Sequence, residues 1–172
     1  DPGIMKKRMA SKRIILEQEQ ARRLLAKADY GVLSLIDVQD MPYGVPIHYV
    51  YDEKKHALAF HCGKDGRKIR AMQAHPQVAL TAVVQETIVA PHFITHYQSV
   101  MAQGEARIVT EEEEKREWLL ALCRRFAPQE QARWEEVIAA YWQAVCMVRV
   151  DITELSGKES RDDEEKSNER TR

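Results

Sequence analysis

The sequence predicts a mainly β fold: six short antiparallel strands curled into a small barrel, with helices packed outside it. Three observations predict it. The β-rich runs YGVLSLID, VPIHYVYD and HALAFHC are separated only by the polar turns QDMPYG and DEKK, and such short connections favour hairpins over βαβ crossovers. Two further apolar runs, QVALTAVV and SVMAQGEARIV, come next, and VCMVRVDITEL supplies a sixth strand. The helical patterns cluster before, between and after these runs instead of alternating with each strand.

Taken in order, Glu17 to Ala28 reads as a helix with Ala21, Leu24, Leu25 and Ala28 on one face. YGVLSLID is the first strand. VPIHYVYD alternates, placing Val45, Ile47, Tyr49 and Tyr51 on one face and His48 and Val50 on the other, and it is expected to pair with HALAFHC as a hairpin. A helix runs from about Asp65 to Ala74, with Asp65 as N-cap and Ile69 and Met72 inward. His75-Pro76 ends it, because the residue before proline avoids helical angles. QVALTAVV, nearly all apolar, is expected to be buried on both faces, and Gly104 marks a bulge or close approach in the next strand. Thr110 and Glu113 form a capping box, opening a helix with Trp118, Leu119, Leu122, Cys123 and Phe126 on one side. Pro128 starts a second helix with Trp134, Val137, Ile138 and Tyr141 inward. The expected organisation is an N-terminal arm over 1–16, a domain over 17–156 and a charged, disordered tail over 157–172. Residues 1–4 precede a plausible start at Met5.

Composition narrows the function classes. A chain of 172 residues with 44% hydrophobic residues builds one domain with a sizeable core. A formal net charge of -1 gives no global attraction to nucleic acid or an anionic membrane. No apolar run approaches the roughly 20 residues of a membrane span, and MKKRMASKR leads into polar EQEQARR without the hydrophobic region of a signal peptide. Cys62, Cys123 and Cys146 are odd in number and widely spaced. They indicate no disulfide framework, and a reducing, cytoplasmic setting is expected.

The chemically suggestive stretch is FHCGKDGRK. Arg67 and Lys68 fall in the first turn of a helix, where the dipole disfavours cations by a few tenths to about 1 kcal/mol each. Free N–H groups at a helix start bind phosphate, Arg67 adds a donor fork and Lys68 a point charge, and Gly63 and Gly66 permit close backbone approach. A solvated basic helix start is the alternative. His61 faces opposite Phe60 by strand alternation and is placed either to meet a ligand or to hydrogen-bond locally, and Cys62 reads equally well as a small buried hydrophobe. His92 and His96 lie four apart, but Pro91 opposes a helix there and no third ligand is at metal spacing. No GxSxG is present. The acidic run Glu111–Glu114 is explained by the helix dipole, and the tryptophans and Phe126 by packing.

The stretches YGVLSLID, YGVPIHYVYD, FHCGKDGRK, HPQVALTAV, HYQSVMAQGEARIV and VRVDITELSGKE, in this order from about Tyr30 to Glu159, resemble the pyridoxamine 5'-phosphate oxidase-like flavin-binding split-barrel superfamily. Within it they resemble the nitroimidazole-resistance family. The resemblance implies a six-stranded antiparallel split β-barrel of Greek-key type that binds FMN between the subunits of a homodimer. It implies cofactor contacts at Pro46, Ile47, His48, Tyr49, His61, Cys62, Arg67, Lys68 and Ser99, with Arg67 and Lys68 on the phosphate and His61 as catalytic residue. The implied activity is an FMN-dependent oxidoreductase that reduces nitro compounds or other small-molecule substrates through reduced flavin, with neither nucleic acid nor membrane as partner. The chain ends in ELSGKESRDDEEK and lacks the Arg-x-His of pyridoxamine phosphate oxidases proper, which speaks against vitamin B6 oxidation. Haem handling in the same groove, or flavin binding without turnover, are the alternative expectations.

Overall fold

The computed structural model describes residues 12–161. In chain order the elements are β1 (Lys12–Ile15), α1 (Gln18–Lys27), β2 (Gly31–Ile36), β3 (Pro42–Ile47), β4 (Val50–Asp52), β5 (Ala57–Gly63), α2 (Arg67–Ala74), β6 (Gln77–Val89), β7 (Ile94–Ile108), α3 (Glu112–Phe126), α4 (Trp134–Tyr141) and β8 (Val145–Arg161). Short 3-10 turns occupy Ala90–His92 and Pro128–Arg133. The strands form one open sheet in the order β3-β2-β6-β7-β8-β5-β4, with β1 added to β8. Eight strands thus stand where six were expected. The pairings β1–β8, β2–β3, β2–β6, β4–β5 and β5–β8 are all antiparallel.

Two compact units divide the chain. The first contains the described parts of 1–28, 82–101 and 155–172. In it α1 buries Ala21, Leu24 and Leu25, and the Gln18 amide donates to the carbonyl of Leu155 at 2.8 Å. The Leu16 N–H donates to Gly157 O at 3.0 Å. A Cβ at Gly157 would come within 3.2 Å of Ala21 and Leu16, so this glycine admits close packing. Gly157 to Arg161, expected as the start of a disordered tail, is strand: Lys158 to Arg161 pair with β1, and Ser160 is buried. Backbone pairing with β1 supplies the order that apolar side chains do not. The remainder of the expected tail lies outside the described residues, as does most of the N-terminal arm.

The second unit contains 29–81 and 102–154. Leu33, Leu58, Ala59, Phe60, Leu80, Met147, Val148 and Val150 are fully or almost fully buried. On another face of β5, Ala57 and Ala59 pack with Val109, Met147, Trp118 and Leu122, so α3 is pinned to the sheet by its two most buried side chains. Gly104 is a close approach, as its sequence context predicts: a Cβ there would stand 2.1 Å from the carbonyl oxygen of Asp151. Below α3, Glu114 accepts from Arg107, Arg149 and the Trp118 indole. Burial pushes the Glu114 carboxyl up, and these hydrogen bonds outweigh it and hold it down to about 2.

Several local expectations need correction. VPIHYVYD is not one strand; it breaks at His48-Tyr49 into the end of β3, which pairs with β2, and β4, which pairs with β5. These are the two ends of the strand order, so a single alternating stretch crosses from one edge to the other. β3 also begins earlier, at Pro42, within the expected turn. The turn itself is held by Asp37, whose Oδ1 accepts from the N–H groups of Gln39 and Met41. β6 is not buried on both faces: Val78, Leu80 and Ala82 are buried while Val83 is 60% exposed. Thr110 is not the cap of α3, since Glu111 takes that place without a side-chain capping bond. Asp65 does not cap α2 either; Gly66 holds the N-cap position with no side-chain bond, and Asp65 pairs with Arg70 at 3.0 Å.

Candidate functional site

A cavity of about 890 Å³ opens in the second unit. Its strand wall is the end of β3 with the following residue, Pro46, Ile47 and His48, and the end of β5, His61, Cys62 and Gly63. Lys68 from the first turn of α2 lies at one side. The start of β8, paired beside the end of β5, continues the strand wall at Val145. The rest of the lining is mostly apolar and comes from α3 and α4, notably Leu119, Phe126, Val137 and Tyr141.

Strand β5 explains how the site arises. From Ala57 to Phe60 every side chain is buried; at His61 the burial ends and the strand enters the cavity wall. α2 then starts at Arg67 after an extended Gly66 that provides no side-chain cap. The N–H groups of a first helical turn have no partner within their own helix, so this start presents donors and a positive dipole end. A Cβ on Gly63 or Gly66 would meet nothing within 4 Å. Neither glycine is demanded by packing, and both leave space open in front of the helix.

The two cations of that turn have different fates. Arg67 donates to Asp37 Oδ2 at 2.8 Å and lies over the Tyr43 ring, 4.0 Å from its centroid. Asp37 is itself buried, and the Arg67 hydrogen bond holds its carboxyl below the usual carboxylate range, helped by the Met41 and Gln39 N–H groups. Lys68 lines the cavity and forms no ion pair among the described residues. Arg67 is therefore a clasp on the β2–β3 turn, and Lys68 is the cation facing the cavity.

The histidines also differ. His48 shares a hydrogen bond through Nδ1 with the carbonyl of Asp29 at 3.0 Å, and its ring meets Phe126 edge-on at 5.0 Å. His61 is exposed on the cavity wall. Burial pushes the Cys62 thiol up to about 11, so it is overwhelmingly the neutral thiol at neutral pH.

Of the residues singled out from sequence, Pro46, Ile47, His48, His61, Cys62 and Lys68 meet in this one cavity. Tyr49 does not; it is 2% exposed in the core. Arg67 stands beside it, engaged by Asp37. Ser99 is half-buried on β7 in the first unit. Sequence reasoning missed the helical wall. Phe126, Val137 and Tyr141 were expected as packing, yet they are 40%, 38% and 63% exposed and line the cavity. No signal in the sequence separates them from core residues, because an apolar side chain facing a cavity has the same spacing as one facing the core. Among the described residues no group of three or more His, Cys, Asp or Glu could hold a metal ion, and no helix is long and apolar enough to cross a membrane.

The size and lining suit a small-molecule or cofactor site, which typically occupies about 300–1,000 Å³ with mostly apolar walls and a few polar anchors. Solved structures share the fold. A candidate 5-nitroimidazole antibiotic resistance protein from Bacteroides thetaiotaomicron matches with a TM-score of 0.71 at 22% identity, covering 88% of this chain and 89% of that one. The flavocytochrome Anf3 from Azotobacter vinelandii matches at 0.70 and 23%, covering 88% of this chain and 73% of that one. An FAD and heme binding protein from Mycobacterium smegmatis matches at 0.71 and 19%, covering 94% and 80%. No curated protein matches the chain. The sequence profile of the pyridoxamine 5'-phosphate oxidase family matches residues 17–159, which is most of the chain: the protein belongs to that family.

Proposed function

We propose that the cavity binds FMN and that the protein is an FMN-dependent oxidoreductase acting on small oxidised molecules, nitro compounds among them. The observation that carries this reading is the juxtaposition of an uncommitted Lys68 at an uncapped helix start with a wall of exposed apolar side chains. An anionic group and a flat apolar ring system on one ligand satisfy both ends. The first-turn amides of α2 and Lys68 would hold the phosphate, with Arg67 keeping the helix start against the β2–β3 turn. Pro46, Ile47 and His48 from the strand wall and Phe126 and Tyr141 from the helices would enclose the ring system and exclude water. When bound, FMN supplies the electron-transfer chemistry. His61 would position the substrate and hold or deliver a proton at its ring nitrogen, a task suited to imidazole near neutral pH.

The same reading includes a homodimer with FMN between its subunits. Support comes from the β2 face and its flanks, where Tyr30, Val32, Ile36, Val38 and Met41 are all exposed; apolar surface of this kind marks association sites. A second reading, haem binding in the same cavity, is favoured by His48 and His61 on one wall.

Visible absorbance of the purified protein, followed by titration with FMN and measurement of flavin fluorescence, separates these readings. The proposal predicts a two-band flavin spectrum or saturable quenching of added FMN, and then oxidation of NADH or NADPH with a nitroaromatic acceptor. A Soret band with no FMN response supports haem, and FMN binding with no turnover on any acceptor supports a non-catalytic flavin module.

A further inference from the structure

We propose that Cys62 and Cys146 form a redox-active dithiol that closes to an intrachain disulfide between β5 and β8, a modification site in the cavity wall. The two residues are direct partners in the antiparallel register, Cys62 opposite Cys146. Opposed residues of such a pair stand about 4.5 or 5.5 Å apart at Cα, according to their place in the ladder. Both separations fall within the ~4.4–6.8 Å that disulfides span. Direct opposition also sends both side chains to the same face of the sheet. Each thiol is among the groups that shift the titration of the other. All three cysteines are free thiols, and Cys123 lies on α3, outside this pairing.

Access sets the order of events. Cys62 is half-buried and lines the cavity, whereas Cys146 is 8% exposed. A low-molecular-weight disulfide entering the cavity is attacked by the Cys62 thiolate. One S–S bond breaks, one thiol leaves with a proton, and a mixed disulfide forms on Cys62. The Cys146 thiolate then attacks the Cys62 sulfur, forming the Cys62–Cys146 bond and expelling the second thiol. The two protein thiols are oxidised by two electrons, and the reagent is reduced to two thiols. Lys68 near Cys62, and Lys64 and Lys115 near Cys146, favour the thiolates, but burial outweighs them at both sulfurs. The dithiol is therefore slow at neutral pH and accelerates in alkali. Once closed, it ties the end of β5, from which the Gly63–Gly66 loop and α2 depart, to the start of β8. This chemistry needs no cofactor, and FMN bound in the cavity would slow it by covering Cys62.

The test is incubation of the full chain with excess oxidised glutathione at about pH 7 and about pH 9, followed by alkylation in denaturant and peptide mass mapping. The expected result is a Cys62–Cys146 linked peptide with Cys123 alkylated, reversed by dithiothreitol and formed roughly tenfold faster per pH unit, as thiolate population dictates. The Cys146→Ser variant should stop at glutathione on Cys62, and Cys123→Ser should form the crosslink unchanged. Unmodified Cys62 and Cys146 at about pH 9, a stable glutathione adduct on Cys62 of the native chain, or linkage of Cys62 only to Cys123 or to a second chain would overturn the proposal.

Discussion

The first four residues of β5 and the first residues that follow them obey different physics. Ala57 to Phe60 are 0% exposed and bonded into the sheet between β4 and β8. From His61 to Lys68 the chain lines a cavity with an imidazole, Gly63 and Lys68, the last in the first turn of a helix without a side-chain cap. The first segment is fixed by burial, so its side chains contribute to stability. The second is held in place by the first, so its side chains are available for binding. The contrast predicts which substitutions unfold the protein and which leave it folded with an altered site.

The largest effect on stability belongs to the packed segment. Phe60→Ala removes a fully buried ring and is expected to cost about 3–5 kcal/mol, read by urea denaturation; a loss below about 1 kcal/mol would break the distinction. Glu114→Gln comes next, at about 2 kcal/mol, because three donors lose their charged acceptor. Its sign with pH follows from the depressed carboxyl. The native stabilisation is complete above the ordinary value of 4.5 and is lost as pH falls through about 2. The gap between native and variant midpoints should therefore narrow across that window, and a pH-independent gap would assign Glu114 a packing role instead.

The cavity segment sharpens the comparison from the other side. Lys68→Ala should leave the denaturation midpoint nearly unchanged while weakening FMN binding by about tenfold, or about 1.4 kcal/mol, measured by fluorescence titration. The smallest effect on stability is expected for His61→Ala, within about 0.5 kcal/mol as for other exposed positions. FMN affinity should hold while turnover falls; unchanged turnover removes His61 from the chemistry.

How far the sequence revealed this contrast depends on what each residue reports. Strand alternation set His61 on the side opposite Phe60, and in the structure Phe60 is buried and His61 exposed; Gly104 announced a close approach, and both are local steric facts. The basic pair at the start of α2 was legible from the preceding glycines and the apolar spacing of Ile69 and Met72. The separate duties of Arg67 and Lys68 were not. They depend on Asp37, thirty positions earlier, reached only through sheet pairing. The break in VPIHYVYD was hidden for the same reason: alternation persists through His48 and Tyr49 although the strand changes partner. The exposed faces of Phe126, Val137 and Tyr141 carried no distinguishing signal, since an apolar residue facing a ligand cavity looks in sequence like one facing the core.

Comparison of FMN with riboflavin, which has the same ring system and no phosphate, tests the central claim most directly. Both ligands would be titrated against the native protein and against Lys68→Glu. The account predicts that the native protein prefers FMN by at least about tenfold, that riboflavin affinity survives the substitution, and that the preference for FMN disappears with it. Equal affinity of the native protein for both ligands, or an FMN preference unaffected by Lys68→Glu, would contradict the assignment of this helix start as a phosphate site.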